Sequence, residues 1–132
     1  TFSKSNNVAV WLNMHAVTEA QRRKGDDGLP VAPYAEDTEG GGKFVNRADC
    51  FMTIHRKVQA MDPEIRKMSE LHIRKVREVE TGGAPTPLED PYRLQMNLSH
   101  TGFTTMTGKR ALYQPITFRE EATMPLNMEF LS

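Results

Sequence analysis

The chain has 132 residues, with Lys+Arg and Asp+Glu both at 17 and a formal net charge of zero. That length suits one small domain. The charge balance excludes a strongly basic nucleic-acid binder and leaves any DNA contact to local clusters.

Mean hydropathy is -0.57, and no run approaches the roughly 18 apolar residues of a membrane span, so no membrane partner is expected. No secretory apolar stretch opens the chain. Cys50 is the single cysteine, so no internal disulfide can form, which suits a reducing, cytoplasmic setting. The chain starts at Thr1 and enters an apolar run within a few residues, which suggests a piece cut from something longer.

Residues 8–14 (VAVWLNM) form a short apolar run, as a buried strand would. Residues 18–42 then hold Arg22-Arg23-Lys24, several glycines and prolines, acids and Gly40-Gly41-Gly42. Little there suits a core, and the pattern predicts a long, mobile loop. Residues 43–49 (KFVNRAD) predict a short helix. Residues 50–54 (CFMTI) predict a strand buried on both faces, ending in His55-Arg56-Lys57.

Asp62-Pro63-Glu64 is a helix or turn start. Residues 71–79 (LHIRKVREV) alternate as a strand, with Leu71, Ile73, Lys75 and Arg77 on one face by period two. A turn-rich stretch (TGGAPTPLEDP) follows, then residues 92–98 (YRLQMNL) as the returning strand of a wide hairpin. Thr101-Gly102-Phe103 closes it. Residues 104–132 are Thr-, Met- and Pro-rich and are expected to be a tail or extension.

Four groups of residues could carry chemistry. His15 follows the first apolar run, where a neutral imidazole can hydrogen-bond a phosphate oxygen. Lys75 and Arg77 lead into Thr81-Gly82-Gly83, and both side chains suit anionic oxygens. Arg22, Arg23, Lys24 and Lys43 make a flexible basic segment suited to the backbone of a single strand. Plain alternatives are a polar strand end for His15, a solvated basic face beside Glu78 and Glu80, and an ordinary soluble loop. His15, Cys50, His55, His72 and His100 lack any metal-ligand spacing, so no metal site is expected. Cys50 lies inside an apolar run, where a thiol is inert.

The order of these features resembles the second half of the RecA-like core in DnaB-type and phage-type replicative DNA helicases, over residues 8–103. VAVWLNMH resembles the strand ending in a γ-phosphate sensor, here His15. GGGKFVNRADCFMTIHR resembles the segment whose arginine, here Arg56, packs near the nucleotide base. LHIRKVREVETGG resembles the hairpin whose Lys75 and Arg77 would enter the neighbouring subunit's ATP site. Arg22, Arg23, Lys24 and Lys43 match channel-facing DNA-binding loops.

The resemblance implies an α/β fold: a partial RecA-like, P-loop NTPase core with few helices and a mixed central sheet ending in a β-hairpin. Residues 1–103 would be that core and residues 104–132 its extension. It implies ATP and Mg²⁺ as the parent's nucleotide and metal. Single-stranded DNA and copies of the chain in a hexameric ring would be its partners, in a phage-like cytoplasmic setting.

Some features depart from the family. Glu78 and Glu80 stand between Arg77 and the glycines, and residues 58–67 are long. No GxxxxGK[ST] phosphate loop occurs, so the chain alone is expected not to hydrolyse ATP. Two alternatives remain: a RecA-like recombinase or non-unwinding regulatory paralogue, and a non-enzymatic protein-interaction domain.

Overall fold

The computed structural model describes residues 1–97 and 102–106. Its centre is a four-stranded sheet in the order β1-β2-β3-β4, with β1 Cys50–Arg56, β2 Met68–Val76, β3 Tyr92–Asn97 and β4 Gly102–Thr105. Every pairing is antiparallel. The mixed sheet expected from the resemblance is therefore corrected. Parallel neighbours need a long crossover, usually through a helix. The chain instead returns beside the strand it has just left.

Short helices punctuate the sheet. They are α1 Phe2–Asn6, α2 Gly42–Arg47, α3 Pro63–Lys67 and α4 Val79–Gly82. The architecture is thus α/β, dominated by strands. Helix α3 starts as its sequence dictates: Asp62 accepts a hydrogen bond from the Glu64 N–H at 2.9 Å, and Pro63 fills the first turn. Past α4, Gly83 takes φ 79°, a conformation that favours glycine. A Cβ on Gly82 would meet Val76 at 2.7 Å, so the turn closes tightly on the end of β2.

Three further expectations change. Residues 8–14 lie in no helix or strand, and Val10, Trp11 and Leu12 are well exposed. No ladder partner meets them among the described residues. Cys50–Ile54 is a strand but is not buried on both faces: Ile54 is 77% exposed and Cys50 is exposed. Strand β1 is the first strand of the sheet order, paired on one side with β2. The thiol is thus not shielded as the apolar run suggested. Finally, the chain does not leave the sheet after the hairpin's second arm: Gly102–Thr105 is a strand that pairs with β3. Residues 107–132, most of the expected tail, and His100 lie outside the described residues.

The stretch 18–42 is not the formless loop its composition suggests. It holds two 3₁₀ turns, Thr18–Arg22 and Ala35–Asp37. Ala20, Ala32, Ala35 and Thr38 within it are buried. Alanine methyls let a backbone approach closely, at the cost of little apolar area per residue. No side chain among the described residues is both large and fully buried. Polar ties therefore carry much of the loop's attachment to the sheet. Arg74 donates to the Ala32 and Pro33 carbonyls at 3.3 and 3.0 Å. Thr53 donates to the Pro33 carbonyl at 3.1 Å. His55 Nε2 lies 3.1 Å from the Pro30 carbonyl, and Lys57 pairs with Asp27 at 2.6 Å.

Candidate functional site

The exit of β2 gathers the two cations singled out in the sequence. The β1–β2 register skips one residue on β2: Phe51 faces Lys75 while Met52 faces Ile73. Arg74 is the extra residue of a bulge, a feature that breaks strict alternation and re-aims side chains. The single face expected for Leu71, Ile73, Lys75 and Arg77 is therefore interrupted between Ile73 and Lys75. Arg77 lies just beyond the strand.

Both cations reach the carboxyl end of α2. Lys75 Nζ donates to the Val45 and Asn46 carbonyls at 2.6 and 3.2 Å. Arg77 donates to the Asn46 and Arg47 carbonyls at 3.5 and 3.3 Å, and pairs with Asp49 at 2.5 Å. The last carbonyls of a helix lack intrahelical partners and carry partial negative charge, so cations settle there. The Arg77 N–H also donates to the Asp49 carbonyl at 2.8 Å, which fixes the start of β1 opposite the end of β2.

Arg56 stands elsewhere. It closes the other end of β1, opposite Ser69, and donates to the Arg66 carbonyl at 2.8 Å. Six residue steps along a strand place it about 20 Å from the Lys75–Arg77 end. These three residues do not form one site within one chain.

His15 lines a hollow beside β1, with Met14, Ala16, Pro33, Tyr34, Thr38 and residues 51–54. Its volume is about 260 Å³, below the roughly 300 Å³ at which small-molecule sites begin. The His15 carbonyl accepts from the Glu39 N–H at 3.3 Å, which ties this end of the segment down.

The basic loop residues divide. Arg22 pairs with Glu19 at 3.0 Å on the surface. Arg23 pairs with Asp37, and its guanidinium lies 4.6 Å from the Tyr34 ring centroid. Lys24 and Lys43 are exposed and make no ion pair among the described residues. Lys43 sits in the first turn of α2, not in a loop. The cationic character expected of the segment is thus partly spent on holding the segment itself.

Sequence reasoning missed Arg74 and Tyr34, and weighed His55 and His72 only as metal candidates. Arg74 lies 5.0 Å from the Tyr34 ring centroid, in addition to its two carbonyl bonds. His72 is 4% exposed. Its Nε2 lies 3.2 Å from Glu70, while its Nδ1 is buried without a hydrogen-bond partner. Burial pushes the His72 pKa below its ordinary value, and Arg74 and His55 push the same way, against the Glu70 hydrogen bond. The signal available in the sequence was parity: Glu70, His72 and Arg74 alternate with the apolar Leu71 and Ile73. Among the described residues no three His, Cys, Asp or Glu side chains cluster as a metal site would require, and no helix is long and apolar enough to cross a membrane.

Comparison with known proteins adds no relative: no family model, curated protein or solved structure matches the chain.

Proposed function

We propose that this chain supplies the phosphate-sensing, neighbour-contacting and DNA-gripping parts of an ATP-driven ring motor that translocates on and unwinds DNA. The observation that carries the reading is the convergence of Lys75 and Arg77 at the exit of β2. They form a two-cation group held by oxygens, about 20 Å along β1 from Arg56. In this reading Arg56 meets the base of one nucleotide, and the Lys75–Arg77 pair at the other end of β1 meets the phosphates of a neighbour's.

In this reading the Arg77 fork and the Lys75 point charge meet charge developing on the transferred phosphoryl group. His15 reports the terminal phosphate by a hydrogen bond, and Arg56 packs near the base. Lys24 and Lys43, exposed at the surface, contact the single strand first, with Arg22 and Arg23 joining when they leave their carboxylates. ATP is the substrate. Mg²⁺, when bound with it, supplies charge neutralisation at the phosphates. The phosphate loop that would hold both is not in this sequence, so these residues act on phosphates held elsewhere.

The test uses the assembled motor, with its phosphate loop in the same polypeptide or in a second one. Arg77→Ala lowers DNA-stimulated ATP hydrolysis by on the order of a thousandfold while nucleotide binding persists. Normal hydrolysis by that variant would sink the reading.

A further inference from the structure

We propose that Asp49 is a latch on the Lys75–Arg77 pair, standing in for a phosphate oxygen until a polyphosphate displaces it. The inference rests on reading those two cations as phosphate contacts.

Asp49 immediately precedes β1 and Arg77 immediately follows β2. The ladder contact Cys50–Val76 therefore sets them opposite each other. The pair also donates to peptide carbonyls of residues 45, 46 and 47. These are neutral dipoles that hold the cations in place. Asp49 brings a full negative charge to Arg77, at 2.5 Å. Its side chain is 77% exposed and that of Arg77 is 46% exposed. An ion pair so open to water and salt is weak.

A triphosphate carries several charges and offers paired oxygens to the guanidinium fork. It outcompetes a lone, hydrated carboxylate and can engage Lys75 at the same time. Removing the Asp49 charge should therefore strengthen polyphosphate binding. A residue that merely positioned Arg77, or merely tied β1 to β2, would give the opposite result or none.

The experiment titrates inorganic triphosphate into the chain and follows the side-chain nitrogen signals of Lys75 and Arg77 by NMR. Both signals shift in the natural sequence. Asp49→Asn tightens the dissociation constant by roughly two- to fivefold, the worth of an exposed ion pair, and the gain shrinks as salt rises. Arg77→Ala abolishes the response. The exposed Asp49 side chain can be changed without opening a cavity, and unchanged sheet amide signals verify that the variant is folded. Unchanged or weaker binding in Asp49→Asn overturns the latch, as does triphosphate that shifts neither side chain. If the latch behaves as stated but Arg77→Ala leaves motor hydrolysis intact, the motor reading fails and the latch stands.

Discussion

Residues 8–14 and residues 16–38 flank His15 and differ in what holds them. The first stretch carries Val8, Val10, Trp11 and Leu12, which are 47%, 63%, 76% and 65% exposed. The second is rich in charge, glycine and proline, yet it contributes Ala20, Ala32, Ala35 and Thr38 to the buried set. Its backbone carbonyls at residues 30, 32 and 33 are taken up by His55, Arg74 and Thr53. The difference teaches that apolar composition measures capacity for burial, whereas order also follows from where backbone polar groups find partners.

The largest expected effect tests the second region. Arg74→Ala removes two charged hydrogen bonds and a ring contact, and should cost about 2 kcal/mol or more in urea unfolding. Trp11→Ser should change stability by less than about 0.5 kcal/mol. If the tryptophan change proved the more costly, the contrast between the two regions would be reversed.

Next comes pH. The His72 pKa lies below its ordinary 6.5, chiefly through burial. The folded state therefore favours the neutral ring. The unfolded state binds the proton first, so this stability is present above 6.5 and declines as pH falls below it. Denaturant unfolding between neutral and mildly acidic pH should show that decline, and His72→Gln should flatten it. An equally steep decline in the variant would assign the effect to another group.

The smallest effect sharpens the outer edge of the loop. The Lys57 hydrogen bond, followed by the Leu29 N–H, holds the Asp27 carboxyl below its ordinary 3.8. A depressed carboxyl contributes stability above that value and loses it as pH falls through the folded one. Lys57→Ala should move the Asp27 titration, read by carboxyl NMR, back towards the ordinary value.

Much of the sheet was legible in local pattern. CFMTI, the Asp62-Pro63-Glu64 start and the two arms of the hairpin each carry their signal within a few residues, although β1 runs on to Arg56 and β2 spans Met68–Val76 where residues 71–79 were expected. The hairpin already implied that β2 and β3 run antiparallel, but the direction in which β1 pairs with β2 is a property of two separate segments and was not legible. The fate of residues 8–14 was hidden for the same reason: an apolar run does not contain its partner. Within the site, Lys75 and Arg77 stood out as cations before a glycine turn. Their hold on α2 did not, because backbone carbonyls leave no trace in side-chain chemistry. Asp49 was likewise hidden, reading only as part of a helix end.

The bulge at Arg74 has one more consequence. In a ladder of period two, an extra residue acts like a frameshift: the phase before it is kept and the phase after it inverts. Phe51 and Met52 are neighbours on β1 and lie on opposite faces, so their partners Lys75 and Ile73 do too, although two residues separate them in number. Deleting Arg74 would restore the regular ladder and leave Lys75 opposite Phe51, on the face it already holds. The residue that ties down the carbonyls of Ala32 and Pro33 is thus the one residue the ladder could lose without turning the phosphate-seeking pair over.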